Sequence, residues 1–160
     1  MAKISIIMGS QSDLDTVSET VNVLKEFKTD FEIKVLSAHR TPKDLAQYVE
    51  AAPERGVKVF IAAAGMSAAL AGVVAAHTTL PVIGVPIESK SLKGLDSLLS
   101  TAQMPPGIPV ACMSIGRSGA KNAALFALEV LGISDAKVSA RLLDYKKRMR
   151  LKIKQTKIKV

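Results

Sequence analysis

The sequence predicts an α/β fold of three layers: a parallel five-stranded sheet between two layers of helices, with one helix added at the C-terminus. Two observations carry this expectation. Short runs rich in β-branched residues alternate with longer helical segments, the pattern of parallel strands joined by crossover helices. The strand runs are also nearly continuous in apolar residues, as in Ile4-Ser-Ile-Ile-Met8, which suits strands covered on both faces. A length of 160 residues fits one domain with one sizeable core.

Strands are expected at 3–8, 31–36, 57–64, 81–86 and 109–113, each a short apolar run bounded by polar or turn residues. The first helix, about 11–27, opens after Gly9, with Ser12 or Asp13 as its N-cap. The second, 42–53, has Thr41 as N-cap and Pro42 at its first position. The third, 67–77, opens at Ser67, and the fourth covers 92–102. A Pro-rich stretch, Thr101-Ala-Gln103-Met104-Pro105-Pro106-Gly107, then makes a rigid loop. The fifth helix, 117–131, stops at Gly132, and a last one runs over about 135–156. The chain thus reads as a single domain, 1–160, with a core of 1–133. Its terminal helix either packs at home or lies on a neighbouring subunit. Right-handed crossovers leave few topologies, and the flavodoxin-like strand order 2-1-3-4-5 is the expected one.

Composition narrows the function. The most apolar stretch, 57–76, is broken by Lys58, Gly65, Ser67 and Gly72, so no membrane span is expected. The N-terminus has no signal-peptide pattern, and a cytoplasmic protein is expected. Cys112 is the only cysteine and sits in an apolar run; it reads as a structural thiol. The net charge of +8 lies wholly in residues 141–160, which hold nine basic residues against Asp144. Such a tail suits nucleic acid or anionic lipid. It has no aromatic residue after Tyr145 to stack on bases, so a solvated helix end is expected, with neither nucleic acid nor membrane as partner.

In an open parallel sheet, ligands bind beyond the carboxyl ends of the strands, near the switch in strand order. Gly9-Ser10-Gln-Ser12-Asp13 follows the first strand. It offers either simple helix capping or a phosphate seat at a helix N-terminus. It is not a dinucleotide fingerprint or a P-loop. Ser37-Ala-His39-Arg40 follows the second strand. The guanidinium suits a phosphate, and the imidazole suits proton transfer. Ala64-Gly65 and the small residues after them follow the third strand, allowing close backbone approach to a ligand or tight helix packing. Ser114-Ile-Gly-Arg117 opens the fifth helix, with Lys121 nearby. Together these loops point to a site for a small phosphorylated ligand.

Met8-Gly-Ser-Gln-Ser-Asp13, Ser37-Ala-His-Arg-Thr-Pro42 and Gln103-Met-Pro105 occur in this order, and with them the chain resembles the N5-carboxyaminoimidazole ribonucleotide mutases. Gly84-Val-Pro86 and Asn122-Ala-Ala-Leu125 fit the same pattern, and the resemblance spans about residues 3–145. It implies the conversion of N5-carboxyaminoimidazole ribonucleotide to 4-carboxy-5-aminoimidazole ribonucleotide in purine synthesis, without metal or organic cofactor. Carbon dioxide would be the intermediate and a homo-octamer the assembly. It implies His39 as general acid/base. Ser10 and Asp13 would sit at the ribose and phosphate end, Ser37 and Arg40 on the phosphate, and the backbone of Ala64 and Gly65 at the carboxylate, with Gly9 also among the substrate-binding residues. Many members carry a second histidine in the third loop, where this chain has Ala69. His77 is expected on the far side of the third helix, with a structural role. Two other readings stay open: a carboxylase acting on aminoimidazole ribonucleotide and carbon dioxide directly, and a non-catalytic nucleotide-binding module. A phospho-acceptor domain would need an Asp after the third strand, where Ala62-Ala-Ala-Gly65 supplies none.

Overall fold

The computed structural model describes residues 3–158. The outermost residues of the expected domain, 1–2 and 159–160, lie outside the described residues. Five parallel strands form one sheet in the order β2-β1-β3-β4-β5. They are β1 (Ile4–Met8), β2 (Phe31–Val35), β3 (Val59–Gly65), β4 (Val82–Ile87) and β5 (Ala111–Cys112). The helices between them are α1 (Leu14–Glu26), α2 (Pro42–Glu50), α3 (Leu70–Ala76) and α4 (Leu95–Ala102), followed by α5 (Gly116–Gly132) and α6 (Ala136–Gln155). This is the flavodoxin-like order that the alternation predicts.

The centre of the sheet is where the apolar runs are longest. Ile4 to Met8 are all buried, and β1 pairs with β2 on one side and β3 on the other, Ile6 facing Ile33 and Ile61. Ile7, Phe60, Leu45, Val49, Leu70 and Val74 form one buried cluster between the sheet and α2 and α3. Burying each such side chain is worth about 1.5–3 kcal/mol. Far along the chain, the buried Thr20 hydroxyl of α1 donates to the Ala120 carbonyl of α5 at 2.7 Å.

Three local expectations need correction. The fifth strand is only Ala111–Cys112, because Pro109 has no N–H to give the ladder. The edge strand β2 is not covered on both faces: Ile33 and Val35 are 36% and 51% exposed. Ser67 does not cap α3, which starts at Leu70 with Ala69 at its N-cap position. A turn closed by the Ala68 N–H on the Gly65 carbonyl (3.1 Å) uses up the residues before it. Cys112 is half-buried, and burial pushes its thiol up.

The chain divides into two compact units, one up to Ala127 and one from Leu128 onward. In the second, α6 starts with Asp135 accepting from the N–H groups of Lys137 and Val138. Its Leu142 lies against Gly132, where an added Cβ would be 3.4 Å from Cδ1. Leu143 and Ile153 of α6 are 70% and 76% exposed. Among the described residues no helix is long and apolar enough to cross a membrane.

Candidate active site

The carboxyl ends of β1, β2, β3 and β4 border one cavity of about 910 Å³. After β1, the chain makes a single 3-10 turn, Gln11–Asp13, with Ser10 as its N-cap. The Ser10 side chain accepts from the Ser12 N–H at 3.3 Å, and the Asp13 carboxylate accepts from the Ser10 N–H at 3.1 Å. This is a capping box with Ser10 as the cap instead of the expected Ser12 or Asp13; Asp13 stands at the N-cap position of α1 without a side-chain capping hydrogen bond. Asp13 is 8% exposed. Burial pushes its carboxyl up, and the Ser10 N–H, the Ser12 hydroxyl and the Arg40 charge offset this only in part.

After β2, Thr41 ties the turn together: its hydroxyl donates to the Ser37 carbonyl (3.2 Å) and accepts from the Ser37 N–H (2.9 Å). Ser37 Oγ in turn accepts from the Arg40 N–H at 3.2 Å and from Arg40 Nε at 3.4 Å. Arg40 Nη2 reaches over to the Gly9 carbonyl at 2.9 Å. One guanidinium therefore fixes the first loop against the second. It spends two of its five N–H donors in doing so, which leaves three for the oxygens of an anion. His39 is exposed beside it and lines the cavity. Among the described residues the imidazole has no hydrogen-bond or ion-pair partner, so both ring nitrogens are uncommitted.

All eight residues singled out in the sequence, His39, Gly9, Ser10, Asp13, Ser37, Arg40, Ala64 and Gly65, line this cavity. His77 does not. It caps the far end of α3, where Nδ1 lies 2.9 Å from Glu50, and it borders a separate hollow with Pro109. Arg117 is not on the cavity either; it pairs with Asp15 of α1 at 2.7 Å.

The sequence reading missed the wall formed after β4 by Glu88, Ser89, Lys90 and Ser91, with Asp96 of α4 holding the Ser89 hydroxyl at 3.0 Å. The signal was in the strand order: β4 lies beside β3, so its loop borders the same edge. Met66 was also missed as a lining residue. Among the described residues no group of three or more His, Cys, Asp or Glu could hold a metal ion.

The family model described as AIR carboxylase matches residues 3–152. A protein of Pyrococcus abyssi named N5-carboxyaminoimidazole ribonucleotide mutase is 56% identical over 94% of this chain and 85% of its own length. A protein of the same name from Saccharolobus solfataricus is 49% identical over 99% of both chains, and one from Bacillus subtilis is 52% identical over 87% of this chain and 86% of its own. A crystal structure of Treponema denticola PurE superposes with a TM-score of 0.85 at 30% identity, covering 94% of this chain and 92% of that one.

Proposed function

This chain belongs to the AIR carboxylase family and is a mutase of purine biosynthesis, and we propose that its cavity moves a carboxyl group on a ribonucleotide with His39 as the only proton carrier. The substrate is N5-carboxyaminoimidazole ribonucleotide, the molecule in the relatives' name. Ser37 and the free donors of Arg40 take the phosphate, Ser10 and Asp13 the ribose end, and the backbone of Ala64 and Gly65 the carboxylate. The bond from the exocyclic nitrogen to the carboxyl carbon breaks, carbon dioxide leaves, and the electron pair stays on nitrogen. His39 gives that nitrogen its proton. C4 of the electron-rich ring then attacks the carbon dioxide, and its own proton passes to His39. One proton is given and one is taken, so the imidazole ends as it began.

The observation that carries this reading is the juxtaposition, on one cavity wall, of an imidazole without a partner among the described residues and an anchored arginine with three donors unused among them. Histidine side chains titrate near neutrality as a class, which lets one group act both as acid and as base. The resemblance adds a homo-octamer, in which the exposed apolar side chains of α6 would pack on a neighbouring copy.

Ala69 lines the cavity at the position where the resemblance leads one to expect a second histidine, which weakens the choice of mutase over direct carboxylation. Two parallel assays decide. One supplies N5-carboxyaminoimidazole ribonucleotide, the other aminoimidazole ribonucleotide with bicarbonate at modest concentration. Rapid product in the first alone is expected. Product in the second at physiological carbon dioxide would assign the carboxylase reaction, and tight binding without product in either would leave a binding module.

A further inference from the structure

The turn leaving β3 places an apolar side chain where nothing in the free chain rewards it. Met66 has φ 56°, in the left-handed region where any residue but glycine is strained. It is also 70% exposed, so burial returns little against that strain. Two other residues with φ near this value, Lys28 and Lys93, carry polar side chains at home in water. Ala68, the fourth non-glycine residue at positive φ among the described residues, is buried, so Met66 is the exposed apolar one, and it lines the cavity, next to Gly65. Backbone strain of this kind clusters at active sites and ligand clamps.

Resting on the mutase reading above, we propose that Met66 is a substrate-positioning residue: its thioether covers the flat face of the imidazole ring and keeps carbon dioxide over C4 until it adds. A sulfur against an aromatic face is a favourable contact, and the cover excludes water and blocks escape of the gas. A glycine would relax the backbone and remove the cover.

The test compares wild type with Met66→Gly and Met66→Leu. It reads three quantities: affinity for aminoimidazole ribonucleotide by calorimetry, KM for the carboxyamino substrate, and the share of substrate released as aminoimidazole ribonucleotide rather than product, corrected for spontaneous decarboxylation. Met66→Gly should melt higher than wild type. It should nonetheless bind the nucleotide about three- to tenfold more weakly, raise KM to match, and leak several times more of the decarboxylated nucleotide. Met66→Leu should restore binding and retention. Unchanged affinity and leakage in Met66→Gly would overturn the proposal, as would a leucine variant as impaired as the glycine one. A wild type that binds the nucleotide without converting it would refute the mutase reading, and the calorimetric comparison would still decide whether Met66 covers the ring.

Discussion

At the scale of single residues, the cavity sets an anchored guanidinium beside an unengaged imidazole. Arg40 is anchored by Gly9 and Ser37, whereas His39 beside it is engaged by nothing in the described chain. His39→Asn should therefore fold normally and bind aminoimidazole ribonucleotide like wild type, yet lose about 10²–10⁴ in turnover. Calorimetry beside the product assay checks this, and near-normal turnover would remove His39 from its role. Arg40→Ala should weaken binding of the phosphorylated ligand by about tenfold or more, with a dephosphorylated analogue bound equally by both proteins; a loss equal for both ligands would show Arg40 misassigned. These residues were legible in the sequence because a parallel sheet fixes where its loops gather, whatever their order in the chain. Met66 was not, because its φ is a property of the turn closed by Ala68, and a methionine next to a glycine carries no mark of it.

Elements are held by contacts that the hydrophobic pattern does not record. Helix α2 is tied to β1 and β2 by a polar cluster. Tyr48 shares a hydrogen bond with Ser5 at 2.8 Å and donates to Glu32 at 2.5 Å, and Arg55 closes on Glu32 at 3.0 Å while lying over the Tyr48 ring. Burial pushes the Glu32 carboxyl up, but the hydrogen bonds from Arg55 and Tyr48 and the Arg55 charge together outweigh it and hold its pKa below the ordinary value. Burial and the Glu32 carboxylate push the Tyr48 hydroxyl up to about 12. A lowered carboxylate pKa stabilises the fold above the unfolded-state value, about 4.3, and that stability is lost as pH falls through the folded-state value. Denaturant midpoints followed from pH 6 downward should thus drop more steeply in wild type than in Glu32→Gln once pH is below about 4.5; parallel curves would show that the cluster contributes nothing. Helix α4 depends on Gly84 of β4, where an added Cβ would sit 2.2 Å from Thr101 Cγ2. Gly84→Ala should cost about 1–3 kcal/mol in chemical denaturation, and an unchanged midpoint would mean that α4 shifts freely. In the sequence Gly84 was visible only as part of Gly84-Val-Pro86, since the clash depends on a residue seventeen positions away.

For the whole molecule, strand order and the sheet edge that carries the cavity were legible because handed crossovers and apolar strand runs leave little choice. The covering of the edge strand β2 was not, since alternation of elements is silent about how far a helix reaches over the last strand. The exposed Leu143 and Ile153 of α6 bear on assembly: sedimentation should give eight copies of the 17.0 kDa chain, and Leu143→Glu should shift the protein to smaller species. A wild-type monomer would withdraw the role proposed for α6. The hydrogen bond from Thr20 to Ala120 has a consequence in time. During synthesis at about 5–20 residues per second, the acceptor for that hydroxyl leaves the ribosome some 5–20 s after the donor. Until then the Thr20 hydroxyl can only turn back on its own helix, so the native seating of α1 is completed only once α5 is made.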